Sequence, residues 1–349
     1  MTPIALLICD GGISLWEGIM KLPRRRFLHL FAGAAALFTT AHDGFAQDWP
    51  TRPVTMVVPY VAGGATDIVA RILSARLSEV LHQQVIIENI GGAGGMAGTS
   101  RVAKAAPDGY QFVLGNVGTH AQNQTLYKNP SYNAARDFAP VALLVDQPMV
   151  LVARTTLPAD KLTEFIAYAK ANGDKMQYGS AGTGSPTHLS CALFNAAAGL
   201  KITHVPYRGS GASIQDLMAG RIDYHCLNTA SAVGYIESKT VKAIATLAKN
   251  RSPALPNLAS ADEQGLTGFS ADNWLAFFFP KNTPAPIVNA LHDAAVATIT
   301  TPAVVARLKE IGVDVVAPER RSPEYLQRFV ESQIEKWAGP IKAAGVTAD

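Results

Sequence analysis

Pro59-Tyr60-Val61-Ala62-Gly63-Gly64-Ala65-Thr66-Asp67 carries no charge until its last residue and lies between two apolar patterns of different period. Val54, Met56, Val57 and Val58 precede it as a strand, while Ile68, Val69, Ile72, Leu73, Leu77, Val80 and Leu81 follow at helical spacing. The glycines therefore fall at a strand-to-helix turn. Such a turn exposes the unpaired N–H groups and positive dipole end of the helix, which favour a carboxylate or phosphate. Glycine lets the backbone approach a ligand closely, and Thr66 can act as N-cap or ligand donor. An ordinary βα turn with no ligand fits the run equally well.

Strand and helix patterns alternate outward from this turn. Residues 54–58, 85–88 and 111–115 read as buried strands separated by helices near 66–82 and 95–106, an order that implies a parallel sheet. A second series follows, with short strands at 176–178, 202–205 and 222–224 and helices near 186–198 and 211–219. Val241 to Leu247 and Trp274 to Phe279 are again strand-like. Helices are expected near 285–299, 302–311 and 322–343, where Pro284, Pro302 and Pro323 each suit a first turn. Two similar α/β lobes with facing strand ends would enclose one cleft.

The front of the chain reads as an export signal. Lys21 to Arg26 are basic, Phe27 to Phe38 are apolar, and Gly44-Phe45-Ala46 supplies small residues for a signal peptidase, so cleavage after Ala46 is expected. Arg24-Arg25-Arg26-Phe27-Leu28 also fits a twin-arginine pattern. Met20-Lys21 would begin an ordinary signal, which makes Met20 the expected start in place of Met1. No later apolar run reaches the roughly 18 residues of a membrane span, so the expected product is soluble and periplasmic. Removing residues 1–46 takes away Lys21, Arg24, Arg25 and Arg26 with Asp10, Glu17 and Asp43, lowering the formal charge from +3 to +2. Basic residues are scattered and not interleaved with aromatic ones, which argues against a nucleic-acid partner. Cys191 and Cys226 remain in the mature chain, either as a disulfide or as two buried thiols.

Three further segments bring polar groups to the presumed cleft. Glu88 to Gly98 is glycine-rich between a strand and a helix, and Gly92-Ala93-Gly94-Gly95-Met96-Ala97 formally fits a dinucleotide fingerprint. The acidic residue that should end the next strand is absent, since that stretch is Phe112-Val113-Leu114-Gly115-Asn116. Gly179 to His188 places hydroxyls and N–H groups before another helix. His204-Val205-Pro206-Tyr207-Arg208-Gly209-Ser210-Gly211 offers an aromatic ring, a guanidinium and a third glycine-bounded helix start.

In their order and spacing these segments, with Val102 to Tyr110, Leu247 to Pro256, Trp274, Pro280 and Thr283-Pro284, resemble the Bug-type solute receptors of tripartite tricarboxylate transporters. The resemblance implies a type II periplasmic-binding fold, two α/β lobes joined by two crossing strands, closing on a small organic carboxylate. It places lobe one at 47–150 and 275–349, lobe two at 151–274, and the crossings near Met149–Arg154 and Trp274–Phe279. It implies no cofactor, a monomer, and membrane transporter subunits as transient partners. Mapped residue by residue, it implies that Tyr60, Ala62, Gly63, Thr66 and Asp67 hold one carboxylate from lobe one, with Ser180, Thr183 and Ser185 from lobe two. Asp67 would repel that ligand directly, so it is expected to orient the turn or an ordered water; compensating its helix N-terminus is the ordinary alternative.

The opposite wall offers Asn116, His120, Asn123, Tyr207, Arg208 and Asn228, each of which also reads as a surface or turn residue. The family often has lysine where Arg208 stands, and arginine can grip a second carboxylate in two-pronged fashion or lie solvated beside the cleft. His188 is expected to pack at its helix start. The competing readings are a ligand-presenting partner of a periplasmic sensor and a periplasmic oxidoreductase. Gly-x-Ser-x-Gly, His-Glu-x-x-His and a phosphate loop are all absent from the sequence. A metal at His188, Cys191, His225 and Cys226 lacks regular ligand spacing.

Overall fold

A computed structural model describes residues 49–348, so the export segment, its cleavage position and the alternative start at Met20 lie outside the described residues. The chain begins with β1 (Val54–Val58), α1 (Ala65–Val80), β2 (Val85–Asn89), α2 (Met96–Ala103), β3 (Gln111–Asn116), the short α3 (Asn123–Leu126) and β4 (Phe138–Gln147). It continues with β5 (Met149–Ala153), α4 (Leu162–Asn172), β6 (Gln177–Ser180), α5 (Pro186–Ala198), β7 (Thr203–Pro206), α6 (Ser210–Met218), β8 (Tyr224–Asn228), α7 (Thr229–Glu237) and β9 (Lys242–Thr246). It returns through β10 (Asn273–Pro280), α8 (Ala285–Thr300), α9 (Pro302–Glu310), β11 (Asp314–Val315) and α10 (Pro323–Ala343).

Two sheets result. The first has the order β11-β4-β10-β3-β1-β2 and the second the order β7-β6-β8-β5-β9. In each, the strands joined by helical crossovers run parallel: β1 with β2 and β3, and β6 with β7 and β8. The helices cover both faces, so the central strands are largely buried; all eight residues of β10 are buried, Asn273 among them. Val69, Leu73 and Leu77 bury one stripe of α1, and Phe112 meets Phe277 edge-on at 4.8 Å in the first core. Pro186, Pro302 and Pro323 each open a helix, where a missing N–H costs nothing.

The connection between lobes differs from the expected one. Met149–Ala153 pairs wholly with β8 and β9, and Asn273–Pro280 pairs wholly with β3 and β4. Each segment expected as a crossing is thus a strand of a single sheet. The chain changes sheet at Pro148, between β4 and β5, and again just before Asn273. The strand β4 carries Pro140, which has no N–H to donate and sits beside a register shift opposite Phe277 and Phe278. The strand expected at 222–224 runs over Tyr224–Asn228, and Asp223 just before it bonds Gln177 and Arg154 through both its backbone and its carboxylate. A buried disulfide joins Cys191 of α5 to Cys226 of β8, resolving the two alternatives for that pair and leaving neither sulfur as a metal ligand.

Candidate functional site

A cavity of about 720 Å³ lies between the facing strand ends of the two sheets. The N-cap residues of five helices line it: Gly64 of α1, Gly95 of α2, Ser185 of α5, Gly209 of α6 and Asn228 of α7. Each helix start brings a partial positive charge, although some of the first N–H groups are already taken: Met96 by the Ala93 carbonyl, Ala97 by Gly92, His188 by the Ser185 hydroxyl and Thr229 by Pro148. Arg208 is the one charged residue among the described residues of the lining, and it has no ion-pair or hydrogen-bond partner among them. The wall is therefore electropositive and rich in donors.

The turn after β1 is held from behind. Asp67 accepts the Gly63 N–H at 2.8 Å, Arg71 at 2.9 and 3.1 Å, and the Asn89 amide at 3.0 Å. Burial opposes its ionisation, but the hydrogen bonds from Arg71, Gly63 and Asn89 outweigh it and hold the carboxyl below the usual range. Asp67 lies outside the lining, as do Ala62 and Gly63. Gly63 has φ +81 and open space where a Cβ would be, so glycine there serves the turn's left-handed backbone. Tyr60, Gly64, Ala65 and Thr66 face the cavity. The Tyr60 hydroxyl is spent on Asn116 Oδ1 and the Gly94 carbonyl at 3.2 and 3.3 Å, and burial pushes its pKa well up, so it stays neutral.

Asn116 ends β3 in the lining. Its Oδ1 accepts from Tyr60 and from the Thr119 N–H, leaving its amide nitrogen for the cavity. His120 and Asn123 stand behind the wall: His120 stacks on Phe278 at 3.8 Å, and Asn123 donates to the Gly94 carbonyl at 3.2 Å. On the lobe-two side, Thr183 and Ser185 line the cavity but Ser180 does not. Ser180 bonds His204 Nε2 at 2.7 Å and accepts from the Gly182 N–H, while Ser185 caps His188 and donates to the Gly182 carbonyl. His188 Nδ1 accepts the Gly184 N–H at 3.3 Å and its ring stacks on His204 at 4.0 Å. Burial lowers their pKa values to about 3 and about 4, so both rings are neutral supports for this turn.

Tyr207, Arg208 and Asn228 complete the expected set and all line the cavity. Tyr207 donates its hydroxyl to Asp216 at 2.7 Å, and burial pushes its pKa up to about 12. Sequence reasoning missed Tyr127, Thr347 and Ala348, which also line it. Tyr127 arrives after a short helix without an apolar period, and Ala348 is brought in by a hydrogen bond to the Leu126 carbonyl, a contact across the chain with no local signal.

Residues 69–346 match the family model described as the tripartite tricarboxylate transporter family receptor. A relative from Agrobacterium vitis, "UPF0065 protein in the TAR-I ttuE-ttuC' intergenic region", is 37% identical over 342 residues, covering 95% of this chain and 98% of that one. The solved structure of the periplasmic binding protein BugD is 38% identical, with a TM-score of 0.82 over 86% of this chain and 100% of that chain. MatC (Rpa3494) from Rhodopseudomonas palustris, solved with bound malate, is 38% identical with a TM-score of 0.81, covering 84% of this chain and 100% of that chain. The fold, the cleft and these likenesses agree: the chain belongs to the tripartite tricarboxylate transporter family of receptors.

Proposed function

We propose that this protein is a periplasmic receptor that captures a small organic carboxylate in the interlobe cavity and delivers it to membrane subunits of a tripartite tricarboxylate-type transporter. The observation that carries the reading is the convergence of five helix N-caps on a cavity whose one charged lining residue, among those described, is the unpaired Arg208. Thr66, Asn116, Thr183, Asn228 and Arg208 are the contacts, and Tyr60, Ser185 and Tyr207 shape the walls. Asp67 and Ser180 act from behind by fixing the two turns. The bound malate of MatC supports the ligand class. Export with removal of residues 1–46 places the receptor in the periplasm.

The test is calorimetry on mature protein unfolded and refolded to strip carried ligand, using acetate, malate, adipate, citrate and benzoate. Binding of at least one at one site per chain, with no consumption, is expected. Absence of binding to all five, or steady turnover of any, overturns the reading.

A further inference from the structure

Asn228, Asn273 and Gln147 meet where the chain passes between the sheets. Gln147 ends β4, Asn273 opens β10 directly opposite it, and Asn228 ends β8 at the N-cap position of α7, where its side chain makes no capping bond. Their exposures are 6% for Asn228, 1% for Asn273 and 0% for Gln147, so each amide must find its partners inside the protein. Asn273 Nδ2 donates to Gln147 Oε1 at 2.9 Å and to Asn228 Oδ1 at 2.8 Å. Both hydrogens of that amide are used. The Asn228 oxygen is thereby occupied, and its Nδ2, which has no partner among the described residues, is the polar atom it presents to the cavity. Asn273 Oδ1 and Gln147 Nε2 remain buried without partners.

A primary amide exchanges donor for acceptor by turning half a revolution. With all three reversed, Asn273 Oδ1 would accept from Gln147 Nε2 and Asn228 Nδ2. That arrangement has the same two hydrogen bonds and the same number of orphaned buried atoms, now Asn273 Nδ2 and Gln147 Oε1. The polarities are therefore closely balanced inside the protein and differ in what faces the ligand: a donor in the first, the Asn228 carbonyl oxygen in the second.

We propose that Asn273 and Gln147 are positioning residues that set the polarity of Asn228, making Asn228 Nδ2 a specificity-determining donor for an anionic ligand group. This rests on the carboxylate-receptor reading above. A carboxylate in the cavity stabilises the donor-inward polarity by a charge-assisted hydrogen bond, whereas the reversed polarity would set an oxygen against it. An ammonium group in the same place would meet a donor and be rejected.

Two substitutions of equal charge separate this from a general effect of the hinge. Asn273→Asp provides only acceptors at pH 8, which draws the Asn228 and Gln147 amide nitrogens inward and turns the Asn228 oxygen to the cavity. Gln147→Glu places the same added charge in the same cluster but accepts from Asn273 Nδ2, preserving the donor-inward polarity. With whichever of malate, adipate, citrate and benzoate binds the wild type most tightly, Asn273→Asp should weaken binding more than 10-fold and Gln147→Glu less than 3-fold. In an Asn228→Ala background the two should no longer differ. Equal losses, or a difference that survives Asn228→Ala, would overturn the proposal, and failure of the wild type to bind any probe removes it together with the receptor reading. Should either variant fail to give a native melting transition, the wild-type side-chain amide resonances of Asn228 decide: ligand should shift them and slow their hydrogen exchange, and unmoved resonances in the bound protein would sink the idea.

Discussion

Gly94 and Gly184 meet across the cleft with room for no side chain: a Cβ on Gly94 would stand 2.6 Å from the carbonyl carbon of Gly184. Gly94 belongs to the turn after β2 and Gly184 to the turn after β6, so this contact joins the two lobes. Gly209 repeats the device on the same rim, since a Cβ there would overlap the Cγ2 of Val61. Close approach of the lobes is written into these glycines.

Gly209 gives the cleaner test because its φ of 177° is extended backbone that alanine also adopts. Gly209→Ala should leave the melting temperature within a few degrees, weaken carboxylate binding, and reduce the ligand-induced fall in radius of gyration seen by solution scattering. Val61→Ala should restore both in the double variant, because it removes the overlapping methyl group. Additive losses in the double variant would show that Gly209 acts through something other than that contact.

The buried carboxylate of Asp67 and the guanidinium of Arg71 form one ion pair, yet their removal should have unequal effects. Arg71 is 58% exposed and Asp67 2%. Asp67→Ala orphans the Gly63 N–H and one hydrogen of the Asn89 amide, the other still reaching the Tyr60 carbonyl, and is expected to cost about 2–3 kcal/mol in urea unfolding. Arg71→Ala leaves those hydrogen bonds in place and should cost less than about 1 kcal/mol. Equal losses would contradict the assignment of Asp67 as the anchor of the turn.

Acid should loosen lobe two before carboxylates titrate. His188 and His204 have native pKa values of about 3 and about 4, against 6.5 for an exposed imidazole, because burial disfavours their charged forms. The unfolded chain then binds more protons than the native one between those limits, so stability is full above about pH 6.5 and is lost as pH falls toward 4. A protonated His188 also ceases to accept the Gly184 N–H. Melting temperature measured from pH 8 to pH 4 should be level at first and then decline; a level profile throughout would show that the native rings titrate like exposed ones and are not held neutral by burial.

The chain separation of 35 residues between Cys191 and Cys226 sets the worth of their bond. Loop closure of that length should stabilise the native state by about 3–4 kcal/mol relative to the reduced chain. Equilibrium unfolding with and without reductant measures this directly, and an unchanged midpoint after verified reduction would refute it.

Much of the architecture was legible because it rests on local periodicity. The apolar run 54–58, the helical stripe through Leu73 and Leu77, and the prolines at 302 and 323 each declare their element without reference to the rest of the chain. The path between lobes was not legible. Val150 and Phe277 are equally apolar and equally buried, and only pairing partners far along the chain decide which sheet receives them. In the site, the glycine turns announced themselves, but which side of a turn each residue faces did not. Thr66 looks into the cavity and Asp67, its neighbour, looks away because Asn89 and Gly63 wait behind it. Tyr127 and Ala348 are supplied by remote contact and leave no mark in their own neighbourhoods.

The ring of helix starts around the cavity has a consequence for how such a receptor can change. Main-chain N–H groups and peptide dipoles do not depend on side-chain identity, so under the proposed function the share of the grip on a negative headgroup that they supply would persist through drift in the surrounding side chains. Under the proposed function, selectivity for the remainder of the molecule would then rest on replaceable lining residues such as Arg208, Thr183 and Asn228. A lineage built on this plan can acquire a new nutrient by exchanging one or two residues while keeping the old affinity for its acid end.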